Sequence, residues 1–352
     1  MKNVALRDVE NAFNRKKMPD CRRGVDLGAF YVHLFRMKRR SFLLNALGLA
    51  AAVGGGLWLK DNVLWRKPSL DFAPEAPWVP LERAARPLPV IKAKVAGQEV
   101  LALIDSGAQY SVVDRGLADA LVAQNALGKT FDMPMVAYGV GGNAQLGRGV
   151  TLPVELAGHA IASLRAAILE LGPLASSEGP GVSLIIGRDV LREVLLELDL
   201  DGQRLRLSNP ETWQPGPQFK PVPTRKQGDA LGVEVSVEGA VIHAIFDTGA
   251  SSLLSISEAT ATEAGLLDGR DEQAGASLVL GGVSKARWIS VQTVTLGEEM
   301  WRDARVPVFG DSNLPNYPNA LLGIGAFSGR EIVLDLGRER LYVAGQLDLT
   351  IN

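Results

Sequence analysis

Two short segments of this chain carry the same run of acid, hydroxyl, glycine and alanine: Asp105-Ser106-Gly107-Ala108 and Asp247-Thr248-Gly249-Ala250. One such segment is weak evidence of chemistry. Asp and Ser readily bond the local backbone and Gly accepts a positive φ, which makes a simple turn. Two copies allow something else, a pair of facing carboxylates. Carboxyl groups about 3 Å apart cannot both ionise, so they share one proton and titrate as a coupled pair. The charged member can draw a proton from water while the protonated member donates to a peptide carbonyl oxygen. That hydrolysis needs neither a metal nor a nucleophilic side chain.

Competing chemistries find few residues. His33, His159 and His243 are isolated, with no metal-ligand spacing between them. His243 lies four residues before Asp247 and reads as a packed strand residue. Cys21 is the single cysteine, so neither a disulfide framework nor a cysteine metal site is expected, and no cofactor is. No Gly-x-Ser-x-Gly elbow occurs. A phosphatase using Asp105 as nucleophile would want a D-x-D pattern and phosphate-binding loops on a parallel sheet, which neither segment offers. A formal charge of −2 on 352 residues lacks the basic field of a nucleic-acid binder.

The elements around the two segments repeat as well. Val90-Ile91-Lys92-Ala93-Lys94-Val95 leads through Val100-Leu101-Ala102-Leu103-Ile104 into Asp105. Leu231-Gly232-Val233-Glu234-Val235-Ser236-Val237 leads through Ile242-His243-Ala244-Ile245-Phe246 into Asp247. Both predict a β-hairpin, turning at Gly97 or Gly239, that runs into an acidic loop. A helical pattern follows each, over 113–127 and 256–267, then a strand pair tipped by Gly141-Gly142 or Gly281-Gly282. Each half then reaches an apolar pair and a glycine, Ile185-Ile186-Gly187 and Leu321-Leu322-Gly323. Asp199 and Leu205 lie as far past Gly187 as Asp335 and Leu341 lie past Gly323. The chain is one unit written twice. Each acidic loop ends a buried strand, so an approximate two-fold axis between the units would bring Asp105 and Asp247 face to face.

With these motifs in view, each half resembles the monomer unit of retropepsin aspartic peptidases, joined in one chain as in the bilobal pepsin-like enzymes. The resemblance covers about residues 88–347, and Ile185-Ile186-Gly187-Arg188-Asp189-Val190-Leu191 is close to the retropepsin form. It implies a mostly β, bilobal acid-protease fold of two tandem β-barrel lobes, with Asp105 and Asp247 catalytic. It also implies that the Ser106 and Thr248 hydroxyls cross the two-fold to the opposite loop. Gly107 and Gly249 would leave room for backbone amides to approach the carboxylates, and Gly187, Arg188 and Gly323 would be structural. Ala108 and Ala250 stand where many pepsins carry a hydroxyl that lowers the carboxylate pKa, so a less acid pH optimum is expected. Gln109 and Ser251 replace the family's acids, which leaves Arg188 without its usual ion-pair partner, and Ile324 stands where a second arginine would. Tyr138, Gly139, Gly141, Gly142, Gly281 and Gly282 occupy the place of substrate-covering flaps. Trp288, Trp301 and Phe309 read as subsite or core aromatics.

Ahead of the repeats, Lys38-Arg39-Arg40-Ser41-Phe42-Leu43-Leu44 and the apolar run to Leu59 resemble a twin-arginine export signal. The reading divides the chain into an extension at 1–36, from an upstream start codon or dispensable, and a signal or membrane anchor at 37–60. A linker or short pro-segment at 61–87 follows, then lobe one at 88–208, a Pro-rich connector at 209–228 and lobe two at 229–347. The expected partners are a peptide or protein substrate, the twin-arginine export machinery and, for an uncleaved signal, the inner membrane. The location is periplasmic or otherwise exported. Two lobes in one chain allow a monomer.

Overall fold

The computed structural model describes residues 67–72, 75–82, 88–127, 130–137, 145–279, 282–311 and 317–345. The Arg39-Arg40 segment and its apolar run lie outside the described residues. Among the described residues no helix is long and apolar enough to cross a membrane.

Two short strands come first, β1 (Leu70–Asp71) and β2 (Val79–Pro80). The first half continues with β3 (Val90–Val95), β4 (Gln98–Ile104), β5 (Val112–Asp114), β6 (Thr130–Ala137) and β7 (Gln145–Leu156). It ends with β8 (His159–Leu169), β9 (Val182–Ile186), β10 (Leu195–Asp199) and β11 (Arg204–Ser208). The second half begins with β12 (Phe219–Val222), β13 (Thr224–Gln227), β14 (Ala230–Val237), β15 (Ala240–Asp247) and β16 (Leu254–Ser257). β17 (Glu272–Val279), β18 (Gly282–Leu296), β19 (Glu299–Phe309), β20 (Ala320–Gly323), β21 (Glu331–Asp335) and β22 (Arg340–Ala344) complete it.

Strand order repeats with the sequence. In the first half β3-β4-β9-β5-β8-β7 closes into a six-stranded barrel, because β7 pairs with both β8 and β3. In the second, β14-β15-β20-β16-β19-β18 closes through the β14–β18 pair. Binary patterning explains the local structure: in β3, Ile91, Ala93 and Val95 are buried while Lys92 and Lys94 face out. The tight turns at Ala96-Gly97 and Glu238-Gly239 hold positive φ at both central residues, the type I′ geometry that matches strand twist. Each hairpin delivers its second strand into the barrel core and ends it at an acidic loop.

A third sheet joins the halves, in the order β12-β22-β21-β10-β11-β2. At its centre β10 and β21 run antiparallel, with Glu197 opposite Val333. Each of these lies ten residues past its own glycine, Gly187 or Gly323. The residue faces its own repeat counterpart, which puts the approximate two-fold axis through this pair. Glu197 is buried and paired with Arg206; its counterpart couple is Val333 opposite Tyr342, an apolar pair.

The edges of this sheet come from segments that read as linker and connector. Val79 pairs with Leu205 and Val222 with Leu341, so Val79-Pro80 and Val222-Pro223 are a further piece of the repeat. Within the 209–228 connector, β12 and β13 are strands and the Trp213 ring packs at a tilt against Phe219 and Tyr342. Trp78 similarly receives Arg204 and Arg206 over its ring.

Both helical patterns are shorter than the sequence suggests. Residues 112–114 and 254–257 are strands, and the helices span Arg115–Ala123 and Glu258–Glu263. The caps decide the start: Asp114 accepts from the Gly116 amide and Ser257 from the Thr260 amide. His243 is exposed rather than packed, near Glu234 and Arg225, since β15 turns that alternate position outward. Phe309 is buried, Trp301 packs partly buried against the core, and Trp288 lies beneath Arg305.

Candidate active site

Asp105 follows β4 directly and Asp247 is the last residue of β15. In each half the next barrel strand is parallel: Ile104 pairs with Ile186, and Asp247 with Gly323. The acidic loop must then step over that strand to reach β5 or β16 on its far side. This crossing explains the downstream glycines. A Cβ on Gly187 would sit 2.7 Å from the Tyr110 carbonyl carbon, and one on Gly323 within 2.4 Å of the Ala250 oxygen. The backbone is tied down equivalently in both, by Arg188 N to Ala108 O and Ile324 N to Ala250 O, each at 2.9 Å.

The two loops meet through their hydroxyls. Ser106 Oγ donates to the Phe246 carbonyl at 3.0 Å and accepts from the Thr248 amide at 3.0 Å. Thr248 Oγ1 donates to the Ile104 carbonyl at 2.7 Å and accepts from the Ser106 amide at 2.9 Å. These four bonds form a reciprocal set, and both side chains are buried. The glycines set the approach. A Cβ on Gly107 would fall 2.6 Å from Asp247 Cγ and both its oxygens, and one on Gly249 2.7 Å from Asp105 Cγ. Each glycine therefore packs against the carboxyl group of the other half.

The electrostatic surroundings differ between the two. Asp105 Oδ1 accepts from the amides of Gly107, at 2.8 Å, and Ala108, at 3.0 Å. Asp247 Oδ1 accepts from the Gly249 amide at 2.8 Å, while the Ala250 amide turns to the Asp247 main-chain oxygen at 3.3 Å. Burial pushes the Asp247 carboxyl well above the usual carboxylate range, with the Asp105 charge and hydrogen bond adding to the shift.

Arg188 is partly buried and, among the described residues, meets no acid in place of the one its position would normally pair with. Its Nη1 donates to the Ser106 carbonyl at 3.1 Å and the Gly107 carbonyl at 2.9 Å, and its buried Nε has no partner. Burial lowers its pKa, opposed by the Asp105 charge. Gln109 reaches across instead, donating from Nε2 to Asp229 at 3.3 Å, and Asp229 also meets Arg192. No sequence signal points to this cross-half cluster, because nothing local in the chain links 109, 192 and 229.

Tyr138, Gly139, Gly141, Gly142 and Gly281 lie outside the described residues. Gly282 opens β18 opposite Val279, and the β17–β18 hairpin lies against the turn Gly172–Leu174 of the first half. Among the described residues no group of three or more His, Cys, Asp or Glu is arranged to hold a metal ion. The arrangement brings two carboxyl groups to one place, on loops tied together by buried hydroxyls.

A family model for aspartyl proteases matches residues 91–190, and a model for the aspartyl protease of gag polyproteins matches residues 233–328. Among solved structures the chain is similar to a retropepsin-like aspartic protease from Rickettsia conorii, at 20% identity. That similarity covers 36% of this chain and 89% of the other, with a TM-score of 0.28. No curated protein matches the chain.

Proposed function

Because this chain belongs to the retropepsin-like aspartic protease family, we propose that it is an endopeptidase whose Asp105 and Asp247 activate water against a peptide bond. The observation that supports this most directly is the reciprocal Ser106–Thr248 bonding, which brings both carboxyl groups to one place. One carboxylate takes the proton of the attacking water and the other, protonated, donates to the carbonyl oxygen. Ser106 and Thr248 are not nucleophiles here, since both hydroxyls are buried and committed to main-chain partners. Ala108 and Ala250 add no hydroxyl to either carboxylate, which favours activity in a near-neutral compartment. The Arg39-Arg40 pair and the apolar run behind it support export to the periplasm or an inner-membrane anchor. On this reading the substrate is an exported or periplasmic polypeptide.

The test is cleavage of an unbiased peptide mixture by the full chain across pH 3–8, beside Asp105→Asn and Asp247→Asn. The expected result is cleavage that both substitutions abolish. Cleavage that survives either one, or a profile peaking below about pH 3, refutes the corresponding part. Absence of cleavage with retained peptide binding would favour a binding protein on the same frame. Export is tested separately by changing Arg39 and Arg40 to Lys and fractionating cells; unchanged distribution refutes it.

A further inference from the structure

We propose that Arg188 is a positioning residue that holds the negative charge on Asp105 and leaves the shared proton on Asp247, acting through the two peptide groups between Ser106 and Ala108. The inference deepens the peptidase reading and rests on it.

The argument starts from which peptide groups are involved. The Ser106 carbonyl and the Gly107 amide belong to one peptide unit, and the Gly107 carbonyl and the Ala108 amide to the next. Arg188 Nη1 donates to both of those carbonyls, and both of those amides donate to Asp105 Oδ1. Each peptide unit is therefore polarised in one direction, from guanidinium to carbonyl oxygen to amide hydrogen to carboxylate. Hydrogen bonds chained this way strengthen one another, and a cation at the head makes the last amide a better donor to an anion. Arginine remains charged throughout the working pH range, so the bias is permanent.

The second half supplies an internal comparison. Its backbone is held by the equivalent bond, Ile324 N to Ala250 O, yet the side chain at the Arg188 position is isoleucine. The Gly249 amide reaches the Asp247 carboxylate there while the Ala250 amide turns to the main-chain oxygen, and among the described residues no cationic side chain is bonded to the carbonyls of these peptide units. Among the other charged groups nearby, Arg192 and Asp229 are paired with each other, and Asp189 accepts from Ser111. They offer little that would reverse the difference.

The assignment orders the proton movements. Asp105 takes a proton from water as the water oxygen bonds the carbonyl carbon, and Asp247 gives its proton to the carbonyl oxygen. The C–N bond then breaks as the proton on Asp105 passes to the departing nitrogen. A hydroxyl proton of the tetrahedral species returns to Asp247, which restores the starting state.

The test is a site-resolved titration of the full chain carrying ¹³Cγ-aspartate, with the two signals assigned by Asp105→Asn and Asp247→Asn. Asp105 is expected to ionise first. In Arg188→Met the two midpoints should draw together by about one pH unit, the low end of the effect of a nearby opposite charge, and Arg188→Lys should fall between. In the same variants the acid limb of kcat/KM should move up by a similar amount, whereas a purely structural role would lower kcat/KM equally at every pH. Asp247 ionising first in the native chain overturns the proposal, as do unmoved midpoints in a folded Arg188→Met. Should that variant fail to fold, the order of ionisation in the native chain decides. A native chain that ionises in this order but cleaves no peptide would sink the peptidase reading and leave the charge assignment standing.

Discussion

Replacing Thr248 with valine isolates what the reciprocal hydroxyls contribute. Valine keeps the β-branched shape and puts a methyl group where the hydroxyl was. Two bonds disappear, Thr248 Oγ1 to the Ile104 carbonyl at 2.7 Å and the Ser106 amide to Thr248 Oγ1 at 2.9 Å. Thr248 and Ser106 are 0% and 1% exposed, so water cannot readily replace the lost partner. A stranded buried amide costs about 1–3 kcal/mol, and the lost bond to the carbonyl about 0.5–1.5 kcal/mol more. The expected destabilisation is therefore about 1.5–4.5 kcal/mol, a large part of a typical domain's stability. Urea unfolding of the full chain measures it: with m near about 3 kcal/mol/M, the midpoint falls by roughly 1 M at unchanged m. Thr248→Ser, which keeps the hydroxyl, should restore most of the loss. Ser106→Ala removes the mirror pair of bonds and should cost about as much as the valine change. A valine variant within about 0.5 kcal/mol of the native chain, or a serine variant equally damaged, would refute the reasoning.

Three further outcomes follow from the geometry. Gly107→Ala drives a methyl group into the Asp247 carboxyl and should reduce cleavage by about 100-fold or more; Gly310→Ala, which meets nothing within 4 Å, should leave the rate unchanged, and equal rates in both would refute the close approach. Asp247 has its pKa raised by burial and by Asp105, so its stabilising contribution is complete below its unfolded pKa of about 3.9 and is lost as pH rises through the folded value. Asp247→Asn, which cannot ionise, should therefore gain thermal stability over the native chain progressively from pH 4 to 7, and a constant difference over that range contradicts this. Arg206→Tyr strands the buried Glu197 carboxylate and should cost about 3–5 kcal/mol. Adding Glu197→Val copies the Val333–Tyr342 pair of the other half and should recover most of that loss, and a double variant no better than the single one argues against it.

Much of this architecture was legible in the chain because it rests on local constraints that leave residue-type signatures. Alternating burial wrote the β3 and β14 hairpins, and positive φ wrote Gly97 and Gly239. The steric demand of one strand passing under a loop wrote Gly187 and Gly323. Because these marks occur twice in the same order, the duplication and the approach of Asp105 to Asp247 could be anticipated. The Val79-Pro80 and Val222-Pro223 match was also there to be read, but two residues among proline-rich surroundings are a faint signal.

Other features depended on where groups lie once the halves close. The exposure of His243 follows from the register of β15, which the apolar residues beside it do not reveal. The helix starts follow from caps that compete with strand pairing at Val112 and Leu254. The destination of Arg188 is the clearest case. The sequence determined that its expected acid was missing, since Gln109 is written in the chain. Only the tertiary structure decided what took its place, because a partly buried cation settles on whichever acceptors the closed fold leaves within reach. Here those acceptors are two main-chain carbonyls, which have no residue type by which a sequence could announce them.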